Sequence, residues 1–186
     1  ARPGSIGIPV PSTDVAILDD TGIPLAIGET GEIAAKGPQI MAGYWKKPDE
    51  TANVMAGDYF LTGDIGIMAE DGYIRIVDRK KDMVVVSGFN VYPNEIEDVL
   101  AAHPGIDEAA VIGVPDPGTG EAVKAFVVLK DPSVSPDAIR AYCKEHLTGY
   151  KVPKRVELRD ELPKSNVGKI LRKDLRAEEL AQIAAE

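Results

Sequence analysis

Glycine and proline break the first 80 residues into pieces too short for any long element. The stretches Val15 to Leu18, Glu32 to Lys36 and Ile65 to Met68 are apolar or β-branched, with Gly or Pro bounding such runs every 8–12 residues. That spacing predicts short strands and turns, with no helix longer than two turns. Ile65 to Glu70, then Asp71-Gly72, then Tyr73 to Val77 reads as a hairpin closed by a primed two-residue turn. Residues 1–80 are therefore expected to form a small all-β unit.

The punctuation changes after Asp78-Arg79-Lys80-Lys81-Asp82. Met83 to Val86 predicts a buried strand. Pro93-Asn94-Glu95 suits a helix start, with Ile96, Val99 and Leu100 on one face. Ala109 to Val114 and Val123 to Leu129 read as strands. Ser135-Pro136-Asp137 caps a second helix that turns Ile139, Tyr142, Cys143 and Leu147 to one side. A strand at Val156 to Leu158 and a helix from about Leu171, with Leu175 and Leu180 inward, complete the pattern. The expected fold class is α+β: a small all-β subdomain, residues 1–80, then an α+β layer sandwich, residues 83–186, joined at residues 81–82.

Composition excludes several functions. Thirty acids against 21 Lys and Arg give a net charge of −9, the wrong sign for a nucleic-acid coat. One cysteine and two histidines cannot complete a four-ligand zinc site, and no metal ligands are identified. No apolar run approaches a membrane span, and no signal-peptide pattern opens the chain. A cytoplasmic protein is expected, with peripheral membrane association as the further option. The chain opens at Ala1 without a methionine, which fits a cut from a longer protein as well as a processed start, so its length is not read as an enzyme's size.

Residues 151–176 carry nine Lys or Arg against four acids, a local +5 that leaves −14 on the remainder. Such a cluster suits a compact polyanion such as a nucleotide phosphate; a solvated surface is the plainer use. Phosphate-loop, nucleophile-elbow and His-Glu-x-x-His patterns are absent. Gly118-Thr119-Gly120 starts a dinucleotide pattern, but Val123 stands where its third glycine belongs. Cys143 and His146 lie three apart on one helix, with Cys143 on its apolar side, and core packing is expected there.

Four segments have the chemistry to hold a ligand. Asp64, after Thr62-Gly63, offers a carboxylate that can accept two hydrogen bonds from vicinal hydroxyls, although such a segment is also an ordinary turn. Arg79 adds a multi-donor group whose simpler use is an ion pair with Asp78 or Asp82. Ser87-Gly88-Phe89-Asn90 joins a strand to a helix and exposes backbone N–H groups. Lys169, in the polar loop Pro163 to Lys169, can neutralise charge at a reacting phosphate.

In this order and spacing, these segments resemble the carboxyl-terminal part of the AMP-forming acyl-CoA synthetases, within the adenylate-forming ligase superfamily. The matching blocks are Gly31-Glu32-Ile33 through Gly43-Tyr44-Trp45, Thr62-Gly63-Asp64, Asp78 to Asp82, Ser87 to Glu97 and Pro163 to Lys169. Residues 57–81 resemble the fatty-acyl-CoA synthetase signature, with Tyr59 and Met68 where Trp is usual and Leu61 where His is frequent. Residues 148–154 are similar to bacterial long-chain-fatty-acid–CoA ligases.

The resemblance implies two steps: a fatty acid and ATP give acyl-AMP and pyrophosphate, then the CoA thiol displaces AMP. It implies ATP with Mg2+ and CoA as substrates of the full-length enzyme. Asp64 and Arg79 would hold the ribose, Lys169 would be catalytic in adenylation, and Lys81 would be the hinge of a mobile carboxyl-terminal domain. Gly88, Phe89 and Asn90 would line the CoA channel, with Lys151, Lys154 and Arg155 near the CoA phosphates. The family's phosphate loop, metal-linked Glu and acyl pocket would belong to an amino-terminal domain upstream of Ala1, and this chain alone is expected to be inactive. The alternatives are another adenylate-forming enzyme (an aryl- or short-chain acyl-CoA synthetase or a peptide-synthetase adenylation domain) or a non-catalytic CoA- or nucleotide-binding module.

Overall fold

Two compact units, residues 1–81 and 82–186, make up the computed structural model, which describes residues 2–185. In the first unit, β1 (Asp14–Leu18), β2 (Thr30–Lys36), β3 (Met55–Ala56), β4 (Tyr59–Met68) and β5 (Ile74–Arg79) form one antiparallel sheet. The long strand β4 has β2 along one side; β3 pairs with its beginning and β5 with its end on the other. Ile17, Ile33 and Ile74, from three different strands, are buried together and flanked by Val15, Leu25 and Met68. The five-residue α1 (Pro48–Ala52) is the unit's one α-helix among the described residues, in line with the glycine and proline spacing.

The β4–β5 connection differs from the expected primed turn. Ala69 N–H donates to the Tyr73 carbonyl (2.9 Å) and Gly72 N–H to the Ala69 carbonyl (2.9 Å), so Glu70, Asp71 and Gly72 form a three-residue loop. Gly72 alone has a positive φ, +78°; Asp71 stays in the ordinary region. A three-residue loop needs one left-handed residue where the primed turn needs two. The primed turn lies in the second unit instead, where Val86 pairs with Phe89 across Ser87 (φ +51°) and Gly88 (φ +85°).

That turn joins β6 (Val84–Val86) to β7 (Phe89–Val91), so a short strand intervenes where a direct strand-to-helix link was expected. The helix α2 (Pro93–Ala101) follows, then the hairpin of β8 (Ile106–Asp116) and β9 (Gly120–Leu129). The helix α3 (Pro136–His146) is capped by Ser135 Oγ, which accepts from Ala138 N–H (3.2 Å). Strand β10 (Arg155–Arg159) runs parallel to β9, and α4 (Arg172–Ile183) ends the unit. Strand β9 is central: β8 lies along one side, β6 and β10 along the other.

Strict alternation gives this sheet two buried faces. Val111, Val123, Ala125 and Val127 face α2 and α3, through Ile96, Leu100, Ile139 and Cys143. Ala110, Ile112, Ala122 and Phe126 face the opposite way, toward Leu162 and Leu175. The expected layer sandwich is therefore α2 and α3, sheet, then α4. One inward assignment is reversed: Leu180 is 58% exposed, while Glu179 is buried. Five residues of helix carry Leu180 about 140° around the axis from the buried Leu175, whereas Glu179 lies only about 40° away. Glu179 reaches Lys124 of β9, which also pairs with Glu157 (2.7 Å). A paired acid thus occupies the inward position.

Candidate functional site

The first candidate is a deformation of β4. Three residues, Thr62, Gly63 and Asp64, stand opposite the single Ile33 of β2, so this segment is a bulge inside a continuous strand, not a turn between two elements. Polar groups hold it open. Thr62 Oγ1 donates to the Ile33 carbonyl (2.7 Å), and Gly63 N–H donates to the buried carboxylate of Glu32 (3.0 Å). Lys80 reaches the same carboxylate (2.8 Å) and Asp20 (3.2 Å); the hydrogen bond it donates to Glu32, more than that to Asp20, pushes the Lys80 ammonium above its ordinary pKa.

Beyond the bulge, β4 and β5 place Asp64 directly across from Arg79. Arg79 Nε lies 2.6 Å from Asp64 Oδ1, with the Arg79 side chain 58% exposed. Its partner is thus Asp64, where the sequence suggested Asp78 or Asp82. Asp78 is instead buried, and its Oδ1 accepts the Arg79 backbone N–H (2.7 Å). Asp64 Oδ2 has no protein donor among the described residues, and the outer Arg79 nitrogens are likewise uncommitted. An open carboxylate oxygen beside open guanidinium N–H groups can accept from and donate to a pair of hydroxyls. Lys81, the hinge candidate and last residue of the first unit, lies in the 3-10 turn Lys80–Asp82.

Lys169, in the second unit, projects from a closed turn. Ser165 N–H donates to the Lys169 carbonyl (2.8 Å), Gly168 N–H to the Ser165 carbonyl (2.8 Å) and Lys169 N–H to Ser165 Oγ (3.1 Å). The backbone is therefore hydrogen-bonded where the sequence suggested a mobile loop. The Lys169 side chain is exposed and, among the described residues, has no ion-pair partner. Much of the surrounding +5 cluster is neutralised: Lys164 pairs with Glu108, Arg159 with Glu157 and Glu178, and Arg172 and Arg176 with acids of the same unit.

An open groove of about 520 Å³ lies between the β6–β7 turn and the segment after α3. Ser87, Thr119, Tyr150 and Lys154 line it, joined by Arg140 and Lys144 of α3, which sequence reasoning missed although their four-residue spacing puts them on one helix face. Phe89 stacks on Tyr150 with ring centroids 4.8 Å apart, so the Gly88-Phe89-Asn90 turn borders this groove. The three lysine and arginine candidates separate. Lys151 is bound by both Glu95 oxygens (2.7 Å each), Lys154 reaches Asp116 from the groove wall, and Arg155 borders a different hollow beside Pro115 and Ile183. The hydrogen bond from Lys154, followed by that from the Thr119 hydroxyl, holds the Asp116 carboxyl down to about 2. Arg140 Nε is buried without a hydrogen-bond partner among the described residues.

Cys143 and His146 do not form a catalytic pair. Burial pushes the Cys143 thiol up, and His146 Nδ1 lies 2.9 Å from the Tyr142 carbonyl. No group of three or more His, Cys, Asp or Glu that could hold a metal ion occurs among the described residues.

Comparison with known proteins gives a class for the chain, the AMP-binding enzymes. The AMP-binding enzyme family model matches residues 1–45, and that of the AMP-binding enzyme C-terminal domain matches residues 95–169. Within that class, these matches support the AMP-forming acyl-CoA synthetases as its family. It is 61% identical over 175 residues to a long-chain-fatty-acid–CoA ligase of Salmonella typhimurium, covering 94% of this chain and 31% of that one. A long-chain-fatty-acid–CoA ligase of Bacillus subtilis is 52% identical over 180 residues, 96% of this chain and 32% of that one. The crystal structure of ATP-bound MatB from Rhodopseudomonas palustris superposes with a TM-score of 0.88 at 39% identity, over 95% of this chain and 36% of that one. The chain thus spans about a third of the length of these relatives.

Proposed function

We propose that the chain is the carboxyl-terminal part of an ATP-dependent, AMP-forming long-chain fatty acid–CoA ligase. A fatty-acid carboxylate oxygen attacks the α-phosphorus of ATP and pyrophosphate leaves. The CoA thiol then gives up its proton and attacks the acyl carbonyl, and the bond to AMP breaks. Asp64 accepts hydrogen bonds from the ribose hydroxyls while Arg79 donates to them. Lys169 sits between the acyl carboxylate and the α-phosphate, where negative charge accumulates during the first step. Lys81 is the pivot about which the second unit turns between steps. After the turn, Gly88, Phe89 and Asn90 line the pantetheine path. The groove beside them takes the phosphate-bearing end of CoA, with Lys154, Arg140 and Lys144 as its cations, while Lys151 and Arg155 stand outside its lining.

The observation that carries this reading is the state of Lys169: exposed on a hydrogen-bonded turn and without an ion-pair partner, although Lys164 and Arg172 nearby are both paired. A lysine kept apart from neighbouring acids is available to a phosphate. The reading is tested by ATP–pyrophosphate exchange in the full-length protein, which palmitate is expected to activate. The 186-residue chain alone is expected to be silent, lacking the acyl pocket and the phosphate loop. Exchange by the chain alone at the full-length rate, or full-length exchange that ignores fatty acid, would contradict it.

A further inference from the structure

The turn that carries Lys169 is connected to the start of its unit through one side chain. Arg172 follows Lys169 by three residues and is the first residue of α4. The strand-like ends of the turn close on each other just before it, with Lys164 bridged to Ile170 and Leu171 N–H donating to the Pro163 carbonyl (2.8 Å). The Arg172 guanidinium then binds two other elements. On α2 it meets both carboxylate oxygens of Glu97 (Nε to Oε1 3.0 Å, Nη2 to Oε2 2.6 Å) and the side-chain oxygen Oδ1 of Asn94 (2.6 Å). Its Nη1 also reaches Asp82 Oδ2 (3.5 Å), and Arg176 takes the other Asp82 oxygen.

Two arginines and two carboxylates balance in charge, and all four are largely shielded: side-chain exposures are 17% for Arg172, 29% for Arg176, 9% for Asp82 and 20% for Glu97. A bidentate arginine pair fixes orientation as well as distance. Asp82 is the first residue of the second unit and adjoins Lys81. The cluster therefore ties the base of the Lys169 turn to the residue beside the proposed pivot.

We infer that Arg172 is a positioning residue for Lys169, holding the turn to α2 and Asp82 so that the lysine moves with these elements as one body. This rests on the proposed adenylation role of Lys169. A loop lysine that is delivered to and withdrawn from a reacting phosphate must arrive at the same place each time, and misplacement by about 1 Å can cost about 10²-fold in rate. Lysine cannot replace this arginine fully, because an ammonium lacks the planar fork that meets Glu97 and Asp82 together.

The test is made in the full-length protein with Arg172→Ala, Arg172→Lys and Asp82→Asn, and with Lys173→Ala as an exposed control. Amide hydrogen exchange at Ser165, Gly168 and Lys169 is expected to quicken about tenfold or more in Arg172→Ala, while the β8–β9 amides stay protected. The kcat for palmitate-dependent ATP–pyrophosphate exchange is expected to fall about 10- to 100-fold, with thioester formation from supplied acyl-AMP within about threefold of wild type. Arg172→Lys should recover part of the loss, and Asp82→Asn should shift both readouts in the same direction. Unchanged turn amides, or equal loss of both half-reactions, would overturn the positioning role in an otherwise active enzyme. A wild-type protein without fatty-acid-dependent exchange would sink the underlying reading and this inference with it. If Arg172→Ala does not fold, Arg172→Lys and Asp82→Asn decide on the same readouts.

Discussion

The turns Ala69 to Tyr73 and Ser165 to Lys169 share a backbone and differ in what they carry. In each, the first residue's N–H bonds the fifth residue's carbonyl, and a left-handed glycine, Gly72 at +78° or Gly168 at +79°, bonds back to the first. The former closes a hairpin and holds acids, with Asp71 paired to Arg2. The latter leads into α4 and holds an unpaired lysine. Turn geometry therefore presents a residue without deciding its use; charge and the following element do that.

Disturbing the proposed ribose site should have a large effect. Asp64→Ala in the full-length protein is expected to raise the KM for ATP and lower kcat/KM in adenylation about 10²-fold, a loss of about 3 kcal/mol. An unchanged KM for ATP would separate the β4 bulge from nucleotide binding. Next come the two glycines. A Cβ would meet open space at both Gly72 and Gly168, so the cost of either alanine is backbone strain, about 1–2 kcal/mol each. The thermal midpoints of the two variants should fall alike, but adenylation per folded molecule should fall only for Gly168→Ala. Equal activity loss would break the contrast between the turns.

Glu32→Gln tests the hidden support of the bulge. It removes the charge that Lys80 meets and leaves an amide opposite Gly63 N–H, at an expected cost of about 1–3 kcal/mol in denaturant unfolding. A rise in the KM for ATP should accompany it. The smallest effect concerns Asp116, whose folded pKa is depressed below its unfolded value of about 3.9. Its contribution to stability is present above pH 4 and is lost as pH falls toward 2. Lys154→Ala should move the Asp116 carboxyl resonance titration upward; an unmoved midpoint would show that Lys154 is not its main partner.

Periodicity exposed the elements more readily than it exposed their supports. Proline at the helix starts, alternation in β8 and β9 and glycine spacing in the first unit each report local chemistry, so the layer sandwich was readable although the order of its layers was not. Leu180 was misassigned because hydrophobicity ignores Lys124, which draws Glu179 inward from another strand. Thr62-Gly63-Asp64 looked like a turn because a bulge and a turn use the same residues; only β2 pairing distinguishes them. Asp64 and Arg79 were visible as residue types, whereas their alignment depends on cross-strand register. Glu32 and Arg172 were missed because their partners lie 31 to 90 residues away in sequence, and Arg140 because its Nε has no hydrogen-bond partner among the described residues.

The most direct measurement is Lys169→Ala in the full-length protein, followed through the two half-reactions separately. Lys169 is proposed to serve adenylation alone, while the Gly88-Phe89-Asn90 turn and its groove serve CoA. Palmitate-dependent ATP–pyrophosphate exchange is therefore expected to fall about 10²- to 10³-fold, the scale of losing one transition-state charge contact. Thioester formation from supplied palmitoyl-AMP and CoA should stay within a few-fold of wild type. Equal loss of both half-reactions would contradict the division of labour between the Lys169 turn and the groove.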